Sequence, residues 1–130
     1  MTARIANISF DAHDAYAQAS WWDQVLEDFT LGDEDSPGDE ECGLEGDNGQ
    51  AVLFLQVPEG KTVKNRVHLC LVAVDGGRDA EVARLLELGA TVHDERRTPD
   101  GRGWVVLQDP EGNEFCILRG EAEREANRYE

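Results

Sequence analysis

Polar and apolar positions switch period along the chain in an ordered way. Arg4 to Phe10 alternates, with Ala6, Ile8 and Phe10 the more apolar set, and reads as a strand. From Ala12 to Leu26, Tyr16, Ala19, Trp22 and Leu26 recur at three and four, with Val25 beside them, which predicts an amphipathic helix opened by Asp11 or His13. Trp22 joins its core stripe and Trp21, about 100° away, is expected to be partly exposed. Glu27 to Asp47 is predicted to hold short edge strands joined by a solvated loop. Gln50 to Val57 (QAVLFLQV) is a strand ended by Pro58-Glu59-Gly60.

The order then recurs. Arg66 to Val74 (RVHLCLVAV) is a strand, and Arg78 to Leu88 a helix with Val82, Leu85, Leu86 and Leu88 as its stripe and Gly89 as its cap. Thr91 to Arg96, Trp104 to Gln108 and Glu114 to Leu118 are strands parted by turns. Residues 120–130 form a polar tail, helical or frayed. Strand, helix and three strands therefore occur twice, as unit one over about 3–58 and unit two over about 66–119 of one domain. One such unit has a sheet with a single helix to cover it, so its other face needs a partner. Pairing the two units meets that need and leaves a cavity between the sheets. The expected class is α+β, two βαβββ units around a shared cavity.

Charge narrows the function. The 130 residues carry 28 acids against 12 Lys and Arg, a formal charge of −16. Residues 1 to 60 hold 14 of the acids and one base, Arg4. Phosphate backbones and anionic lipid surfaces are bound by basic faces, so neither nucleic acid nor a membrane is an expected partner. The opening MTARIANISFDAHD lacks the apolar core of a secretory signal, and no stretch approaches the roughly 18 apolar residues of a membrane span. A cytoplasmic location follows as the expectation. Cys42, Cys70 and Cys116 are odd in number, with no Cys-x-x-Cys pair, and are read as free thiols, Cys70 and Cys116 shielded by strands and Cys42 in the acidic loop.

Some local patterns fail on inspection. Asp33, Asp35, Gly38 and Asp39 resemble a calcium loop, yet Pro37 and Leu44 stand where ligands are required. Gly101-Arg102-Gly103 lacks the third glycine of a nucleotide loop. Lys61, Lys64 and Arg66 form the basic cluster, which offsets the acids of the first half or greets an anionic ligand.

SWWDQVL, VHLCLVAV, LLELGA and GRGWVVLQDPEGNEFCIL together resemble the vicinal oxygen chelate superfamily of glyoxalase I, bleomycin-resistance proteins, fosfomycin-resistance enzymes and extradiol dioxygenases. KNRVHL with GNEFC is similar to its glyoxalase-like subgroup. The resemblance implies metal ligands, usually His and Glu, on the first and last strand of each unit. By motif those positions fall on Asn7, Phe54, His68 and Cys116, of which His68 alone has the usual ligand chemistry; Glu114 lies two residues before the expected carboxylate. No metal and no cofactor is therefore expected. The leading expectation is a metal-independent protein that binds a small organic molecule, with Asn7, Phe54, His68, Cys70, Trp104 and Cys116 as wall residues, as in drug-sequestering members. Two alternatives stay open: an enzyme of lyase or isomerase type using His68 with a metal or a thiol, and a structural or regulatory homodimer without ligand. His68, Cys70 and Cys116 also share strand parity, a minor reading being a soft nitrogen and sulfur site for zinc or copper.

Overall fold

In the computed structural model, which describes residues 2–120 and residue 123, the chain divides after Gly60 into two compact units. The class is α+β, and each unit is one four-stranded mixed sheet with one helix.

Unit one comprises β1 (Ile8–Ala12), α1 (Ala15–Asp23), β2 (Phe29–Leu31), β3 (Glu41–Gly46) and β4 (Ala51–Gln56), in sheet order β1-β4-β3-β2. β1 is shifted from the predicted Arg4–Phe10 span. A strand needs a ladder partner, and β4 pairs in parallel with 8–12 alone, Ile8 against Val52 and Phe10 against Phe54. The helix consequently starts late. Asp14, not Asp11 or His13, caps it, its Oδ1 accepting from the Ala17 backbone N–H at 3.0 Å. The acidic segment contains two strands as expected, but β3 lies inside the sheet and only β2 forms an edge. Its Cys42 and Leu44 are buried between exposed Glu41 and Glu45, a two-residue period that the surrounding acids obscure.

Phe10, Ala12, Val52, Phe54, Cys42 and Leu44 form the sheet face that packs on α1, with Ile8 at its exposed end. The Phe10 ring lies 6.1 Å from Trp22 and 5.4 Å from Phe54. Trp21, expected to be partly exposed, is buried, meeting Trp22 edge-on at 5.2 Å. Two aromatic neighbours on one short helix are both enclosed because the indoles pack on each other.

Unit two repeats the plan with β5 (Leu69–Val72), α2 (Gly77–Glu87), β6 (Thr91–Glu95), β7 (Val105–Gln108) and β8 (Glu114–Leu118), in order β5-β8-β7-β6. Val82 and Leu85 of α2 are buried with Val105, Leu107, Phe115 and Ile117, the helix-side core. α2 has no capping side chain at Gly76; the Glu123 carboxylate accepts instead from the Arg78 and Gly120 N–H groups at 2.8 and 2.9 Å. Arg78, buried in the first turn of α2, points its Nη1 at the carbonyls of Gly101, Arg102 and Gly103, at 3.1, 3.0 and 2.9 Å. That clamp fixes the β6–β7 connection. The connection in turn needs a glycine at 103, where φ is +90° and a Cβ would stand 2.0 Å from the Arg96 carbonyl oxygen.

The turn before β8 forms on Asp109, whose Oδ1 accepts from the N–H groups of Glu111 and Asn113 at 2.9 Å each. Gly112 supplies the positive φ of 87°. Of the polar tail expected over 120–130, residues 121, 122 and 124–130 lie outside the described residues.

Candidate functional site

Strand parity sorts the expected wall residues. In unit two Cys70 pairs with Cys116 and Val106 pairs with Cys116, so these three stand on the face opposite the α2-side core. His68, two residues before Cys70, joins them. One ligand atom from each of His68, Cys70 and Cys116 lies within 4.8 Å of the other two. Trp104, two residues before Val106, continues the same alternation and is 37% exposed.

Unit one behaves differently. Phe54, expected on a ligand-facing wall, is fully buried against Phe10 on the α1 side, which removes it from the helix-free face of its sheet. Asn7 precedes β1, is exposed, and accepts from the Ser9 hydroxyl at 2.9 Å. On β4 the residues of opposite parity to Phe54 are Leu53 and Leu55.

Thiol exposure inverts the expectation at two positions. Cys70 is exposed, whereas Cys42 and Cys116 are buried, Cys42 because β3 turns it inward beneath the helix. Burial, reinforced by the neighbouring Cys70, pushes the Cys116 thiol up to about 12. Burial and the carboxylates of Asp35 and Asp39 push Cys42 to about 11. At neutral pH both are protonated thiols, which removes Cys116 as a ready nucleophile for His68 to activate.

Glu114 is the residue that pattern reading undervalued. Its side chain is 2% exposed and shares the parity of Cys116. Lys64 Nζ donates to its Oε1, and the Asn65 N–H to its Oε2 at 3.2 Å. Lys61 Nζ and His93 Nε2 each stand 3.6 Å from the carboxylate, His93 at the register break of β6. The hydrogen bond from Lys64 outweighs burial and holds the Glu114 carboxyl at about 2. Lys61 and Lys64 therefore neutralise an internal carboxylate. The signal was the coexistence of one basic cluster and one acid on an apolar strand, separated by 50 residues.

Residues 7–118 match the family profile described as a glyoxalase-like domain. The chain belongs to the glyoxalase-like domain family. No curated protein sequence matches this glyoxalase-like chain. Among solved structures it resembles a glyoxalase/bleomycin resistance protein/dioxygenase family enzyme from Burkholderia phytofirmans, at 21% identity and TM-score 0.65, over 88% of this chain and 97% of the other. It also resembles the fosfomycin resistance protein FosX from Mesorhizobium loti, at 15% identity and TM-score 0.65 over 91% and 92%. FosX from Listeria monocytogenes, solved as a variant with Mn(II) and a dihydroxypropylphosphonic acid, matches at 17% identity and TM-score 0.66 over the full length of both chains. At these identities the likeness is one of fold.

The donors of the glyoxalase-like chain do not fit a hard divalent ion of the Mn(II) type. Such ions take carboxylate, imidazole and water. Of the residues expected to line such a site, Asn7 offers an amide, Phe54 lies in the α1-side core and offers no donor, His68 offers an imidazole and Cys116 a buried thiol, while the nearby Glu114 is already paired with Lys64.

Proposed function

We propose that this glyoxalase-like protein binds a small organic molecule on the helix-free face of unit two without a hard divalent ion. The observation that carries the reading is the convergence of His68, Cys70 and Cys116 within 4.8 Å beside apolar Val106, with Trp104 partly exposed on the same alternation. A few convergent polar groups on an otherwise apolar surface are the composition of a ligand site. A planar, largely apolar molecule with one hydrogen-bonding edge suits it: Trp104 offers a stacking surface and His68 a donor or acceptor. A fold neighbour supports the same reading, since FosX from Listeria monocytogenes was solved with a small phosphonic acid bound. A cytoplasmic location fits the charge and the thiols, and no helix among the described residues is long and apolar enough to cross a membrane.

The test is thermal melting with a panel of planar aromatic molecules in the presence of chelator. A ligand at one hundred times its Kd raises stability by about 2.7 kcal/mol. Trp104→Ala and His68→Ala each weaken binding at least about tenfold while keeping the unliganded melting temperature. A panel that stabilises both variants as strongly as the wild type overturns the assignment of the site.

A further inference from the structure

We propose that His68, Cys70 and Cys116 form a binding site for a thiophilic cation, Zn(II) or Cu(I). The proposal goes beyond ligand binding and does not rest on it. His68 and Cys70 sit two apart on one strand side, and the parallel register places Cys116 directly beside Cys70 on the neighbouring strand. Two backbone ladders thus hold three donors, all within 4.8 Å of one another. Metal–sulfur bonds of about 2.3 Å and metal–nitrogen bonds of about 2.0 Å bring tetrahedral donors to about 3.5–3.8 Å apart, so side-chain rotations that draw the donors together by about 1 Å complete the site.

Donor chemistry selects the ion. Two thiolates and an imidazole favour zinc and monovalent copper over manganese or magnesium. His68 and Cys70 are exposed and give the ion a path from solvent, while buried Cys116 anchors it. Three protein ligands leave one position of a tetrahedral zinc open. Binding of Zn(II) displaces the two thiol protons into solvent, M(II) plus two thiols giving the dithiolate complex and two protons. Besides Cys70, the charged groups that bear on Cys116 are Lys64, which favours its thiolate, and Glu114, which opposes it. The second cluster of donors, Asp35, Asp39 and Cys42, is a poorer competitor. Asp35 and Asp39 already accept backbone N–H groups, from Gly43 and Ser36, at 2.9 Å each.

The experiment titrates the reduced, chelator-stripped full chain with Co(II) under nitrogen, then displaces the cobalt with Zn(II) or Cu(I). Saturation at one equivalent is expected, with thiolate charge-transfer absorption in the near ultraviolet and tetrahedral bands in the visible. Cys70→Ser and Cys116→Ser each lose about half the charge-transfer intensity and weaken binding at least about tenfold; Cys42→Ser leaves both unchanged. Zn(II) also protects Cys70 of the unmodified chain from alkylation, a reading that needs no variant to fold. Bands that survive in the Cys70→Ser/Cys116→Ser double variant, or that vanish in Cys42→Ser, overturn the proposal, as does a wild-type chain without thiolate charge transfer. Ligand binding measured in chelator is unaffected by any of these results, so the two readings fail separately.

Discussion

Single side chains decide how this sheet pair is read. The segment AVLFLQV is apolar on both parities, Val52 and Phe54 on one and Leu53 and Leu55 on the other, so alternation alone could not say which set meets the helix. The register with β1 settles it, since Phe54 opposite Phe10 shares a ring cluster with Trp22. Phe54→Glu therefore places an unpaired carboxylate in the unit-one core. We expect a loss of about 4 kcal/mol or more and no cooperative melt, checked by urea denaturation; Leu53→Glu, on the opposite parity, is expected to cost much less. A well-folded Phe54→Glu chain contradicts the register. Glu114 makes the complementary case. Its carboxyl is held at about 2 against an ordinary 4.5, so it contributes stability that is fully present above pH 4.5 and is lost as pH falls toward 2. Lys64 is largely exposed, which limits the contribution to about 1–3 kcal/mol. Glu114→Gln should flatten the acid limb of a stability-against-pH curve over that window, and a limb as steep as the wild type's would contradict the ion pair.

At the scale of elements, the order of strands and helices was legible and their edges were not. β8 coincides with its predicted span because a turn with its own chemistry, Asp109 to Asn113, sets its start. β1 and β5 were predicted too long, since their lengths follow from how much of β4 and β8 lies opposite, a fact that no local pattern encodes. The residues before β5 serve elsewhere: Asn65 accepts from the Glu114 N–H at 3.0 Å and Lys64 reaches its carboxylate. The Arg78 clamp was likewise invisible, because a basic residue in the first turn of a helix opposes the helix dipole and reads as surface. Its partners are backbone carbonyls more than twenty residues away. Arg78→Met keeps the stem and leaves those carbonyls without their donor. We expect it to cost about 2–3 kcal/mol and to speed amide exchange at Thr98 to Trp104 first, measured by hydrogen exchange. Uniform exchange across unit two would refute the clamp.

Across the whole molecule the sequence divided charge unevenly, and the structure follows that division. The side-chain ion pairs of Arg78, Arg84, Arg96 and Arg97 all lie in residues 61–130, whereas residues 1–60 carry 14 acids and one base. Self-repulsion among the surface acids is screened over about 8 Å at physiological ionic strength. Raising sodium chloride from about 10 to 150 mM should therefore increase the melting temperature by a few degrees, read by differential scanning calorimetry, despite weakening the ion pairs. A fall would mean that the pairs outweigh the repulsion. The candidate site was only partly legible at this scale. His68, Cys70 and Cys116 were placed together from parity, but the exposures of Cys42 and Cys70 were exchanged, because a strand hidden in an acid-rich segment turned one thiol inward.

The sheet orders β1-β4-β3-β2 and β5-β8-β7-β6 place the last strand of each unit in the interior, flanked on both sides by strands made earlier. A ribosome releases these strands from the N-terminal side, so β1 and β3 wait with bare hydrogen-bonding edges until β4 arrives, and β5 and β7 wait for β8. Unit two completes about 60 residues later than unit one, several seconds at roughly 5–20 residues per second. A nascent chain stalled before Glu114 consequently carries a closed first sheet and an unzipped second one, in which Cys70 has not yet met Cys116.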